Sequence, residues 1–253
     1  MRLSVCTTNY NCAHVLNRHL DSVFENLRGH EFEYIVVDNR SRDASARILD
    51  SYAATHPNMT VFSRRCTIGE GREIAFSHSH GDYLVILDTD VVYSGLLRQF
   101  VDAYLQRCPD RSVQAIFCGI FPRAQWVRAG GRRSFNTNED VDLWARIARC
   151  GTMMWYPVEL GENVKEAVAW GIDDYLSHRY RKREKIVRLM RREWDLVKTR
   201  KLEKLDIAGL IEANTIDLGL GPVPRAWPIG RTRRARMERI VGFVRELKQI
   251  WLA

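Results

Sequence analysis

The sequence predicts an α/β protein with a mostly parallel central sheet flanked by helices, followed by a helical, basic C-terminal extension. Three observations predict it. Short β-rich apolar runs alternate with helix-period segments through residues 3–90. Acidic residues stand directly after two of the strand candidates, at Asp38 and at Asp88 and Asp90. The charge is also divided unevenly: residues 1–160 hold 18 Arg, no Lys and 18 Asp plus Glu, so the net +8 belongs entirely to residues 161–253.

The first strand candidate is Leu3 to Thr7, followed by a turn at Asn9-Tyr10-Asn11. Apolar residues at Val15, Leu16, Leu20, Val23, Phe24 and Leu27 then recur at helical spacing, and Gly29 stops the helix. A second strand spans Tyr34 to Val37 and ends at Asp38. Ser41-Arg42-Asp43 starts a second helix through Ile48, Leu49 and Tyr52, and a third strand spans Met59 to Phe62. The segment Gly69-Glu70-Gly71 reads as a loop into a third helix from about Arg72 to Ser79. The fourth strand, Tyr83 to Leu87, ends at Asp88-Thr89-Asp90. Right-handed crossovers would bring the carboxyl ends of all four strands to one edge, where open α/β sheets bind their ligands.

Beyond residue 91 the pattern predicts a helix over 95–107, a strand over 113–119, an Arg/Gly-rich loop over 123–134 and a helix from Glu139. A basic helix over 175–205 carries an apolar stripe at Ile186, Met190, Trp194 and Val197. A connector, Gly219 to Gly230, holds Pro222, Pro224 and Pro228. A last helix over 231–252 repeats an apolar stripe from Met237 to Trp251. We divide the chain into a ligand-binding domain, 1–160, and a helical basic region, 161–253.

Hydrophobic content of 45% and charged content of 28% exclude wholesale disorder. The six cysteines show no C-x-x-C pair and no zinc-ligand spacing, and the N-terminus shows no secretory signal. Reduced thiols in a cytoplasmic protein are the expectation. The longest apolar run, Tyr83 to Leu87, is far below the ~20 residues of a spanning helix.

Asp88-Thr89-Asp90 is the most informative triplet. Two carboxylates one residue apart, just past a buried strand, can hold a hard divalent cation, Mg²⁺ or Mn²⁺, against the phosphates of a ligand. The alternative is a turn cap at Asp88 beside a solvated Asp90.

Four motifs taken together give the chain a resemblance. Ser4-Val5-Cys6-Thr7-Thr8-Asn9-Tyr10-Asn11 is similar to a strand followed by a Pro-x-Tyr-Asn turn. Val36-Val37-Asp38-Asn39-Arg40-Ser41-Arg42-Asp43 is similar to Val-Val-Asp-Asp-Gly-Ser-x-Asp. Gly69-Glu70-Gly71-Arg72-Glu73 precedes Gly81-Asp82-Tyr83 and the strand to Asp88-Thr89-Asp90. Asn138-Glu139-Asp140-Val141-Asp142-Leu143 is similar to Glu-Asp-x-Asp-Leu. In this order they resemble the inverting, metal-dependent GT-A glycosyltransferases of family 2.

The resemblance implies a Rossmann-like nucleotide-diphospho-sugar transferase fold and assigns roles. Thr8 and Tyr10 would line the base pocket, Asp38 would accept from the base or ribose, and Arg72 would meet the diphosphate at a helix start. Asp88 and Thr89 would join the nucleotide-sugar site, with Asp88 and Asp90 on the metal. Asp140 would be the general base, although Glu139 and Asp142 are neighbours able to compete and the same residues suit a helix start. His178 would be an extra metal or diphosphate ligand, or a surface residue.

The implied donor is a UDP- or GDP-linked sugar. The acceptor hydroxyl is unassigned, with a lipid-linked one in keeping with the family. Departures are Thr8 for proline, Asn39-Arg40 for Asp-Gly, and Glu73 where small residues are usual. No Gln-x-x-Arg-Trp segment is present, which argues against a processive polysaccharide synthase.

Two other classes compete. A nucleotidyltransferase of related fold would carry an Arg/Lys-bearing Gly-rich loop after the first strand, where this chain has Thr8-Asn9-Tyr10-Asn11. A non-catalytic module would use the basic tail, with Trp194, Trp227 and Trp251, to hold nucleic acid or another anion. We prefer for the tail an anionic membrane surface, peripheral to the inner face, over nucleic acid. Packing of the same stripes on the catalytic domain is the commoner use of such helices.

Overall fold

Four strands lie parallel in the spatial order β3 (Met59–Ser63), β2 (Phe32–Asp38), β1 (Leu3–Asn9) and β4 (Tyr83–Leu87). The computed structural model describes residues 1–136, 139–149, 153–164 and 216–220, with residues 181, 183, 184, 186, 187, 190, 191, 194 and 195. The expected helix over 231–252, most of the 175–205 helix, most of the 219–230 connector, Asn138, Cys150 and His178 lie outside these residues.

Strand side chains alternate between two apolar layers. Val5, Tyr34, Val36, Val85 and Leu87 enter one cluster, shared with Leu16, Leu20 and Val23 of α1 (Ala13–Asn26), Leu49 of α2 (Ser45–Thr55) and Phe100 of α4 (Leu96–Arg107). Cys6, Ile35, Val37, Leu84 and Ile86 enter the other, shared with Ala75 of α3 (Ile68–Ser77), Trp126 of α5 (Arg123–Arg128) and Leu143 and Ile147 of α6 (Glu139–Ala148). With helices on both faces, the central strands have no solvent side, which is why they read as near-continuous apolar runs. Each large side chain so buried contributes about 1.5–3 kcal/mol.

Four expectations need correction. Residues 113–119 are not one strand. β6 (Ser112–Ile116) turns back at Phe117, whose φ of 67° is left-handed, into antiparallel β7 (Cys118–Pro122), which pairs with β4. Gly69-Glu70-Gly71 is not a loop, because α3 begins four residues earlier than expected. Thr67 accepts from the Glu70 N–H at 3.1 Å, and the Glu70 carboxylate accepts from the Thr67 N–H at 2.8 Å, a capping box that fixes the start.

The glycines serve close approach instead: a Cβ on Gly69 would lie 2.0 Å from the Arg133 carbonyl oxygen, and one on Gly71 2.1 Å from Thr8 Cγ2. The 123–134 segment is helical at first, as α5. Its remainder is stapled to α3 by Glu73, which accepts from Trp126 Nε1 at 3.1 Å and the Arg132 N–H at 2.7 Å. That contact accounts for the unusual Glu73.

The last correction adds strands that the pattern did not predict. β8 (Met153–Glu159) pairs parallel with β6 at the sheet edge, and β5 (Val91–Tyr93) pairs with β9 (Gly161–Asn163), across the division expected at residue 160. Residues 216–220 return to the same core: the Ile216 N–H donates to Trp155 O at 2.8 Å, and Leu218 is buried. The five described cysteines are free thiols. Among the described residues no helix is long and apolar enough to cross a membrane.

Candidate active site

Parallel register carries Asn9, Asp38 and Ser63 to one level, and Thr7 Oγ1 donates to Leu87 O at 2.5 Å, so Asp88 emerges beside Thr8. Along this edge opens a cavity of about 1170 Å³. Its walls include Thr8, Tyr10, Arg72, Asp88, Thr89, Asp90 and Asp140. Among the predicted site residues within the described chain, Asp38 alone is absent from these walls.

Asp38 is 1% exposed and committed elsewhere: it accepts from Asn9 Nδ2 at 2.8 Å, Ser41 Oγ at 2.6 Å and the Ser41 N–H at 2.8 Å. It shapes the turn after β2. Thr89 is buried, its hydroxyl donating to Thr8 O at 3.3 Å. Tyr10 lies under the Arg42 guanidinium, 5.9 Å from its ring centre.

Arg72 organises the deep end. It sits in the second turn of α3, not at its start, and its side chain is only 7% exposed. One guanidinium nitrogen holds Asp88 Oδ1 at 2.5 Å and the other holds Glu139 Oε1 at 2.5 Å. A single fork therefore ties the end of β4 to the start of α6. Arg132, 1% exposed in its side chain and over the Trp126 ring, shares Glu139 at 3.3 Å.

The three acids of α6 thus have separate fates. Glu139 is clamped by two buried arginines. Asp142 is fully buried between Arg133, at 2.9 Å, and Arg146, at 2.7 Å, and is not part of the cavity wall. Asp140 is half-buried and faces the cavity.

The electrostatics follow from this crowding. Withdrawal from water pushes the Asp88 carboxyl up to about 6, with Asp90, Glu139 and Asp140 adding to the rise and Arg72 opposing it. Asp140 is raised by burial first and by Glu139 second, against Arg132, the Val141 N–H and Arg72. Burial and the like charge of Arg72 bring Arg132 down to about 10. Asp88, Asp90, Glu139 and Asp140 gather at the deep end with Arg72 and Arg132, and Arg40, Arg42, Arg65, Arg183 and Arg191 also line the cavity.

Asp88 and Asp90 supply hard oxygen donors suited to Mg²⁺ or Mn²⁺, which commonly take one or two carboxylates and complete their shell with phosphate oxygens. Among the described residues no group of three or more His, Cys, Asp or Glu forms a closed metal cage. The cavity also collects unpaired polarity. Of six buried side-chain polar atoms without a partner among the described residues, four belong to its lining: Asn9 Oδ1, Arg72 Nε, Arg132 Nε and Asn163 Oδ1.

Arg132 and the Glu139 clamp were not assigned from sequence; the Arg/Gly-rich segment pointed to the region without giving positions. Residues 4–164 match the family described as Glycosyl transferase family 2.

The chain belongs to that family.

An uncharacterized glycosyltransferase, YfnE, from Bacillus subtilis (strain 168) is 29% identical over 123 residues, 48% of this chain and 30% of the relative. A poly(ribitol-phosphate) beta-glucosyltransferase from Bacillus spizizenii is 30% identical over 96 residues, 36% of this chain and 15% of the relative. The matched stretches therefore span less than a third of the length of either relative. Among solved structures, the mannosyltransferase PcManGT of Pyrobaculum calidifontis, in complex with GDP-Man and Mn²⁺, superposes with a TM-score of 0.59 at 17% identity, over 99% of this chain and 82% of that one. The 1–349 fragment of S. aureus TarS gives 0.55 at 14% identity, over 75% and 66%. The fold is GT-A, with its mostly parallel central sheet between helices.

Proposed function

We propose that this family 2 chain transfers a sugar from a UDP- or GDP-linked donor to an acceptor hydroxyl with inversion. The observation that carries the reading is the Arg72 fork, which ties the Asp88 turn to the first residue of α6 so that Asp88, Asp90 and Asp140 address one cavity. The donor's diphosphate would lie against the Asp88–Asp90 pair, its nucleoside toward Thr8 and Tyr10. Mg²⁺ or Mn²⁺ held there by Asp88 and Asp90 would neutralise charge on the leaving diphosphate.

Asp140 takes the proton of the acceptor hydroxyl as its oxygen bonds to the anomeric carbon from the far side. The bond from that carbon to the phosphate oxygen breaks, and the electron pair leaves with the nucleoside diphosphate. Arg72, engaged by Asp88 and Glu139, would hold these two acids in position for the reaction. Glu139 and Asp142, both engaged by arginines, are poorly placed to compete as base. PcManGT carries GDP-Man with Mn²⁺, and TarS has been solved with UDP-GlcNAc, so the fold accommodates either base.

A thermal-shift panel of nucleoside diphosphates, each with and without Mn²⁺, tests the reading. At ligand about a hundred times its dissociation constant the stabilisation is ~2.7 kcal/mol. One base stabilising the protein only with the cation would name the donor class. A panel with no response, or with responses indifferent to Mn²⁺, would remove the reading.

A further inference from the structure

Five large hydrophobic side chains are exposed among the described residues, and three of them fall within eight positions: Val187 at 40%, Met190 at 59% and Trp194 at 61%. All three are helical, and spacings of three and four place them on one face. Among the described residues, polar side chains bond this segment to the domain. Glu184 accepts from Arg42 at 3.0 and 2.7 Å and from Tyr10 at 3.4 Å, and the Asp195 carboxylate, 7% exposed, accepts from the Asn136 N–H at 3.1 Å.

An amphipathic helix that serves a core turns its apolar face inward. Here Val187, Met190 and Trp194 look out, while Glu184 and Asp195 bond the segment to the domain. The surroundings of that face are basic. Arg183 and Arg191 are exposed on it, and Arg40 and Arg65 are exposed on the adjoining cavity rim.

We infer that this face docks on an anionic lipid bilayer, with Met190 and Trp194 entering the headgroup boundary and the arginines meeting lipid phosphates. Exposed apolar residues that include a Trp, ringed by arginine, are the chemistry of an interfacial helix. The inference has a consequence for the reaction, and this part rests on the transferase reading. Arg183, Val187 and Arg191 also line the cavity, so a bilayer covering this face lies at the cavity mouth. The acceptor class that fits is an amphiphile whose hydroxyl sits at headgroup level.

The test is co-sedimentation of the full chain with phosphatidylcholine vesicles and with vesicles holding about one quarter phosphatidylglycerol, at about 0.1 M salt. Binding is expected to be at least tenfold tighter to the anionic vesicles, as each basic residue near the surface contributes about fivefold. M190S/W194S should weaken that binding about tenfold or more. R183Q/R191Q should erase most of the anionic preference.

Equal sedimentation of the parent and M190S/W194S would overturn the inference. A lowered melting temperature of M190S/W194S with vesicle binding unchanged would show that the chain covers the face itself, which also overturns it. Neither substituted side chain of M190S/W194S lines the cavity, so Mn²⁺-dependent nucleoside diphosphate binding is read on the same samples. Its loss in the parent protein would sink the transferase reading and leave the docking result standing.

Discussion

At the scale of single residues, the site is decided by which carboxylates are already spoken for. Glu139 faces two buried guanidiniums, Asp142 lies between Arg133 and Arg146, and Asp38 is consumed by Asn9 and Ser41. Asp140 remains for chemistry, so Asp140→Asn should lower transfer by roughly 10²–10⁴-fold while nucleotide binding, followed by calorimetry, is kept. Because its carboxyl lies above the usual range, the reactive ionised form is lost as pH falls at a higher pH than for an ordinary Asp, near 3.9. The acid limb of the rate profile should therefore stand above about 4 and vanish with the residual activity of the Asn variant.

Asp88, pushed up to about 6, must shed a proton to bind a cation, so Mn²⁺ affinity should weaken as pH falls through 6. Glu139→Ala has a different expected signature. Leaving Arg72 and Arg132 buried without it should cost about 3–5 kcal/mol in denaturant unfolding, whether or not substrate is present. A loss below about 1 kcal/mol, the range of exposed ion pairs, would mean that the clamp is incidental.

At the scale of elements, the start of α3 carries the geometry that the site needs. Thr67→Ala removes the capping box and should destabilise by about 1 kcal/mol. Gly69→Ala drives a methyl into the Arg133 carbonyl and should cost more, about 1–3 kcal/mol, because backbone on both sides must move. Thermal melts of the two variants check that order. The Thr-x-x-Glu pattern was present in the sequence and marks the correct start, but two glycines nearby resembled a loop. Their actual role is close approach to Thr8 and Arg133, which depends on neighbours distant in the chain.

The β6–β7 reversal at Phe117 was hidden for a related reason: its left-handed residue is a phenylalanine, where turn chemistry leads one to look for Gly or Asn. Helix α1 and strands β1 to β4 were legible because each follows a single strong period bounded by turn residues. β8 and β9 were not, being defined by partners at 112–116 and 91–93 and carrying no distinctive local period.

At the scale of the molecule, the parallel order β3-β2-β1-β4 lines strand ends along one edge, and antiparallel β7 closes its far side. The edge location of Asp88 and Asp90 could be read from sequence, since it needs only strand ends and right-handed crossovers. The convergence of Asp140 on that edge could not, since it depends on the Arg72 fork and on Glu73 holding the 129–136 segment against α3. Asp38, a matching residue at the matching strand end, also takes a structural part that the motif does not reveal, through a serine three positions on.

The account turns on one cavity in which a cation-holding pair and a separate base act on the same ligand. Calorimetric titration of the stabilising nucleoside diphosphate, with and without Mn²⁺, into the parent, Asp90→Asn and Asp140→Asn proteins tests it most directly. The predicted result is cation-dependent binding that collapses in Asp90→Asn and persists in Asp140→Asn. Binding that ignores Mn²⁺, or that falls equally in both variants, would contradict it.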